Sequence, residues 1–152
     1  MNRELIVLFD LSGVLVGLGG MPDFVKWTGR STEDIGSHWL KSESVRSFER
    51  GHIGFEEFHT NFVKEWNVSI SCQELFEAFE SWVARAFPGA IDLLSELSDK
   101  YTLACLANTN SVQWPVLQKT LQMPKYFEHQ FASHEIGKVK PDSEAYEHVI
   151  DA

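Results

Sequence analysis

The sequence predicts an α/β fold: a parallel sheet with helical crossovers and a block of helices inserted after its first strand. Three observations lead there. Residues 5–9 and 101–107 are short, unalternated apolar runs that stop abruptly, the first at Asp10 and the second at Asn108-Thr109-Asn110. Runs of that kind suit strands buried on both faces. The order of elements, strand, several helices, strand, helix, strand, helix, fits a parallel sheet with right-handed crossovers. Finally, residues 16–87 separate the first two strands by far more chain than one crossover needs, so much of that stretch should form a separate helical unit.

Each element has its own signal. Ser31-x-x-Asp34 opens a helix running to about residue 41, because a serine followed three residues on by an acidic side chain can satisfy the free amides of a first turn. Phe55, Phe58, Phe62, Val63 and Trp66 share one helical face. Ser71-x-x-Glu74 is a second capping signal, and Leu75, Phe76, Phe79, Trp82, Val83 and Ala86 continue from it as an apolar stripe. That stripe predicts one helix ended by Pro88-Gly89. Residues 90–100 read as a helix leading into the second strand, and residues 131–133 as a weaker third strand. The predicted division is a core of residues 1–15 and 88–152, with a helical cap of residues 16–87.

Composition limits the function classes. With 43% hydrophobic residues and 11 Phe in 152 residues the chain can build a core, which excludes a disordered tail. Its net charge of -9 repels nucleic-acid backbones and anionic membranes, so no nucleic acid and no membrane is expected as a partner. The same charge means that an anionic substrate would need a local cation. Cys72 and Cys105 read as reduced thiols. The apolar run near the N-terminus is too short for a signal peptide or a spanning helix, so the chain reads as soluble and cytoplasmic.

Open parallel sheets bind ligands beyond the carboxyl ends of their strands, and three polar groups stand there. Asp10, before the Ser12-Gly13 turn, suits a covalent nucleophile, although an aspartate also ends strands for local reasons. Lys140, before Pro141-Asp142, suits neutralisation of a phosphoryl group, and reads equally as a solvated lysine before a helix-opening proline. Asn108, Thr109 and Asn110 offer donors, or ordinary turn and capping chemistry. The six histidines show no zinc-type spacing. Trp39 or Trp66 could line a pocket in the cap.

Four segments taken together resemble the haloacid dehalogenase (HAD) superfamily. They are FDLSGVLV (9–16), CLANTNS (105–111), IGKVKPDSEAYEHVI (136–150) and ERGHIGFEEF (49–58). The first three resemble its ordered strand-end motifs. The fourth resembles a cap segment of the phosphatase-like branch that includes sugar-phosphate phosphatases and the amino-terminal domain of soluble epoxide hydrolase. The resemblance implies a Rossmann-like, HAD-like core with an α-helical cap. It implies a phosphomonoesterase of small phosphorylated metabolites acting through an aspartyl-phosphate on Asp10, with Lys140 holding nucleophile and phosphoryl. It implies a substrate-binding set of Asn108, Thr109 and Gly13, and Mg²⁺ held by the Asp10 carboxylate and the Ser12 backbone carbonyl.

Three departures accompany the resemblance. Ser12 stands where the family has a second aspartate that protonates the leaving group, work a serine cannot do. Ala107 stands where a Ser or Thr would bond a phosphoryl oxygen. The fourth motif, a strand ending in two acidic residues that bind magnesium, is not reached before Ala152, so the C-terminal part of the core is expected to be missing. Residues 5–9 would then form a sheet edge and favour self-association. Two alternatives follow: a catalytically inactive, truncated relative, or a dehalogenase-type carbon–halogen hydrolase.

Overall fold

The computed structural model describes residues 5–152; residues 1–4 of the predicted core segment lie outside the described residues. Three parallel strands form the main sheet: β1 (Ile6–Phe9) pairs with β4 (Thr102–Ala107), and β4 with β5 (His129–Ala132). Phe9 lies opposite Cys105, and Ala107 opposite Ala132. The three strands thus end within a residue or two of one another, and the residues that follow them share one rim. The central strand β4 is the best buried, as its uninterrupted apolar run requires.

The first strand is buried on one face rather than on the two its apolar run suggests. Ile6 and Leu8 are 53% and 42% exposed, while Val7 and Phe9 pack on the core. Among the described residues β1 pairs with β4 alone, so it is an edge strand with one uncovered face.

The stretch that follows β1 holds a short strand and five helices. β2 (Val16–Leu18) leads into α1 (Met21–Thr28), α2 (Thr32–Lys41), α3 (Glu43–Glu49), α4 (Phe55–Glu65) and α5 (Cys72–Ser81). Both capping signals operate: Ser31 accepts from the Asp34 amide, and Ser71 and Glu74 form a reciprocal capping box. The last helix is shorter than the stripe predicts. It ends at Ser81, and Val83–Ala86 is instead a strand, β3, antiparallel to β2. Val83 continues the helical spacing of Leu75, Phe79 and Trp82, so periodicity cannot see the break. What decides it is a distant partner: Val16 and Leu18 pair with Ala86 and Val83, and the Gly19 amide donates to the Trp82 carbonyl. This two-stranded ribbon brings the two ends of the helical block together.

The chain then alternates through α6 (Ala90–Ser98), β4, α7 (Gln113–Thr120), α8 (Met123–Tyr126), β5, α9 (Ser133–Ile136) and α10 (Ser143–Ile150). Two apolar clusters result. One, around Leu11, Leu94, Leu103, Leu117 and Met123, fills the sheet side. The other, within α1–α5, is aromatic: Phe48 stacks on Phe58 at 4.4 Å and Phe62 on Trp66 at 5.3 Å. Aromatic pairs of this sort contribute about 0.5–1.5 kcal/mol beyond their burial. Trp66 belongs to this core, its indole N–H donating to Ser42 Oγ. Cys72 and Cys105 are free thiols, and burial pushes Cys105 up to about 12.

One side chain ties two helices of the block together. Glu65, at the end of α4, accepts from the Glu43 and Ser44 amides at 2.9 and 3.0 Å and from the Ser42 and Ser44 hydroxyls. It therefore satisfies the free donors at the start of α3 from outside that helix. Burial acts to raise its carboxyl, but the bonds from Ser44, Ser42 and Glu43 outweigh it and hold the group below the ordinary glutamate range. Glu65→Ala should destabilise the fold by about 2 kcal/mol, read as a lower urea midpoint. A depressed carboxyl stabilises above its unfolded pKa and loses that contribution as pH falls through its folded pKa. The gap between wild type and variant should therefore close in acid.

Candidate active site

The shared rim of the sheet gathers the residues that follow each strand. Asp10 comes directly after β1. Its Oδ1 accepts from the Leu11 amide at 2.8 Å and forms an ion pair with Lys140 Nζ at 2.7 Å. No described residue donates to Oδ2. Asp10 is 46% exposed and Lys140 17%, so the carboxylate faces the opening and the ammonium sits behind it. A turn closes the entry: the Gly13 amide donates to the Val16 carbonyl, and Gly13 has φ +81°, a conformation that favours glycine. Ser12 is half-buried and bridges to Val16.

Asn108, after β4, reaches across to the Lys140 backbone. Its Nδ2 donates to the Lys140 carbonyl at 2.9 Å, and its Oδ1 accepts from the Lys140 amide at 2.8 Å. The side-chain amide is thus committed at both ends to holding the backbone of Lys140. Thr109 turns inward: it is 1% exposed, its amide donates to Ser133 Oγ, and its own hydroxyl lacks a described partner. Asn110 caps the next turn, its Oδ1 accepting from the Val112 and Gln113 amides. The rim therefore joins Asp10, Asn108 and Lys140. None of Asn108, Thr109 and Gly13, the expected substrate-binding set, is among the residues lining the cleft.

That cleft has a volume of about 490 Å³ and is lined by Leu8, Phe9, Asp10, Leu40, Leu106, Lys140, Pro141 and Tyr146. Its walls are mostly apolar, which strengthens any charge interaction inside it. Leu40 is contributed by α2.

A second set of charges, which the sequence reading missed, links the helical block to the Lys140 loop. Arg46 and Arg50, on and just after α3, bond Asp142 at 2.9 and 2.8 Å. The Arg50 guanidinium, helped by that of Arg46, holds the Asp142 carboxyl below the usual range. Glu49 lies between the two arginines in sequence, half-buried at the end of α3. Burial pushes its carboxyl up to about 7, against the opposing pull of Arg46 and then Lys140. Gly51 holds the end of α3 close to α9: a Cβ there would collide with the His134 carbonyl. The available signal was the 49–58 segment itself, which sequence reading treats as a cap element without chemistry.

The donors of the cleft fall short of a magnesium site. Asp10 is the one carboxylate in the lining, and the described residues contain no cluster of three His, Cys, Asp or Glu suited to a metal. Hard cations take several oxygen ligands. The residues described do not complete such a site. Among the described residues, too, no helix is long and apolar enough to cross a membrane.

Comparison with known proteins agrees with this geometry. The HAD family enzyme BT-2542 of Bacteroides thetaiotaomicron superposes with a TM-score of 0.75 at 26% identity, over 96% of this chain and 76% of that one. A structure of the same enzyme in complex with magnesium and inorganic phosphate matches equally well, over 77% of its length. A predicted HAD-like family hydrolase from Porphyromonas gingivalis shares the fold at 23% identity and a TM-score of 0.70, over 96% of this chain and 74% of its own. The L-2-haloacid dehalogenase of Xanthobacter autotrophicus does so at 18% identity and a TM-score of 0.63, over 97% and 64% respectively. A family model for haloacid dehalogenase-like hydrolases matches residues 5–152. With strand ends, Asp10–Lys140 pair and family model in agreement, the chain belongs to the haloacid dehalogenase-like hydrolases.

Proposed function

We propose that the chain acts as a phosphomonoesterase on small phosphorylated molecules in the cytoplasm, with residues 16–87 as a cap over the cleft. The observation that carries this is the Asp10–Lys140 pair, 2.7 Å apart at the carboxyl rim of a parallel sheet. Asp10 Oδ2, free of described donors, attacks phosphorus, and the ester oxygen leaves with its electron pair. Lys140 neutralises the phosphoryl charge, and Asn108 positions Lys140 through its backbone. Water then cleaves the aspartyl-phosphate, restoring the Asp10 carboxylate and releasing monoanionic phosphate. The Bacteroides complex with inorganic phosphate supports a phosphoryl ligand. Asp10→Asn should abolish phosphate release from a panel of monoesters; equal release by both proteins would remove Asp10 from the mechanism.

A magnesium ion at the phosphoryl group would neutralise its charge, and the Bacteroides enzyme has been seen in complex with magnesium and inorganic phosphate. Here one carboxylate is present in the lining. The 152-residue chain should therefore show no micromolar magnesium site by titration calorimetry. A tight site would reveal ligands beyond Asp10 and the Ser12 carbonyl.

A second reading, carbon–halogen hydrolysis, is favoured by the same single carboxylate in an apolar lining. Halide release from a 2-halo acid, assayed beside phosphate release, separates the two. For partners, the uncovered Ile6 and Leu8 on an edge strand support self-association. Sedimentation at dilute concentration should show more than monomer; a compact monomer would sink this part of the reading.

A further inference from the structure

A second chamber, of about 460 Å³, adjoins the cleft. Its side-chain walls include Met21 and Phe24 of α1, Ile35, Trp39 and Leu40 of α2, and Trp82, and no charged residue lines it. Trp82 turns its one polar atom away, Nε1 donating to Asp23 Oδ2 at 2.7 Å. Leu40, 70% exposed, stands in the wall of both spaces, so they are neighbours across that side chain. The size lies within the range of about 300–1,000 Å³ usual for small-molecule sites. A hydroxyl-rich leaving group would find few side-chain partners there, whereas a flat apolar ring would meet Phe24, Trp39 and Trp82.

Gly36 gives independent support. It stands inside α2, where glycine costs about 0.5–1 kcal/mol relative to alanine. A Cβ at Gly36 would meet nothing within 4 Å, so no neighbour forbids a side chain. Gly36 lines the chamber. The glycine destabilises the helix and leaves the space open.

The chemistry of the cleft narrows the substrate from the other side. Ser12 follows Asp10 by two residues, where it offers no carboxylic acid, and Asp10 is the only carboxyl in the lining. An aliphatic alcohol, with a pKa of about 16 like water, leaves slowly unless it is protonated as the bond breaks. A phenol, with a pKa of about 10, departs as phenolate and takes its proton from solvent afterwards.

We propose that the chamber seats the leaving group and that the substrate is an aryl phosphate monoester. This rests on the phosphoryl-transfer reading above. Asp10 Oδ2 forms the new bond to phosphorus, the aryl oxygen–phosphorus bond breaks, and the electron pair goes to the phenolate. Hydrolysis of the aspartyl-phosphate by water restores the Asp10 carboxylate and leaves both of that water's protons on the phosphate, released as the monoanion.

The test titrates 1-naphthyl phosphate, glucose 6-phosphate and inorganic phosphate into the 152-residue chain and three variants. Wild type should bind the naphthyl ester about ten-fold or more tightly than the sugar ester. Gly36→Leu, which suits a helix better than glycine, should remove that preference and leave inorganic phosphate unaffected. Leu40→Gln, at an exposed position, should weaken the naphthyl ester by about three-fold. Lys140→Ala should weaken all three ligands. Equal affinity for the two esters, or an undiminished naphthyl preference in both chamber variants, overturns the chamber assignment. If the Gly36→Leu effect appears but Lys140→Ala changes none of the affinities, the phosphoryl reading fails, and with it the ester half of this proposal.

Discussion

The arrangement of the cleft depends on holding a lysine against Asp10 while four-fifths of its side chain is out of water. The 2.7 Å contact with Asp10 gives Lys140 a counter-charge. A half-exposed pair of this kind adds little stability by itself, because solvent screens it and two side chains must be ordered. Its importance is positional. Asn108 bonds both the amide and the carbonyl of Lys140, so the backbone at that residue is fixed from β4 rather than from its own loop. Since β4 is paired with β1 in register, the distance between Asp10 and Lys140 is set by the sheet. A donor held in this way needs little reorganisation when charge develops nearby.

The helical block is coupled to the same loop. Arg46 and Arg50 grip Asp142, two residues after Lys140, and the turn at Gly51 packs on the backbone of α9. The end of α3, the Lys140 loop and α9 therefore act as neighbours in one charged patch. It contains Arg46, Arg50 and Lys140 against Asp10, Asp142 and Glu49. Glu49 is the member whose burial makes its charge costly, with a carboxyl pushed up to about 7. By linkage, a raised carboxyl lowers stability as pH rises from its unfolded value through about 7, so this group opposes the trend set by Glu65.

Sequence reading recovered what depends on neighbours along the chain. The strand stops at Asp10 and Asn108 and the two serine caps at Ser31 and Ser71 are local devices, and each appears where the residue types put it. It failed where the deciding partner lies far away. Val83–Ala86 carries a helical spacing and becomes a strand only because Val16–Leu18 is there to pair with it. Phe9 and Leu8 look alike as text, but the uncovered face of an edge strand separates them. Asn108 reads as a donor toward a ligand, and the bond it makes is to Lys140, 32 residues on. Glu49 and Arg50 were visible as part of a cap segment, yet their contact with the Lys140 loop is a property of the packing of α3.

The departures at Ser12 and Ala107 also acquire a physical meaning. Ala107 is 1% exposed at the end of a buried strand, where an unpaired hydroxyl would be costly. On the phosphoryl-transfer reading proposed above, the contacts that a hydroxyl there would supply fall to Lys140 and backbone amides near Asp10. The machinery on the rim is then mostly electrostatic: a nucleophile, a fixed cation and a mainly apolar wall. Such a site stabilises charge on the transferred group well and does little for a poor leaving group. Where proton donation is lacking, the remaining source of transition-state stabilisation is binding energy from parts of the substrate remote from phosphorus. An apolar chamber that shares Leu40 with the wall of the cleft is where this fold has such energy to offer.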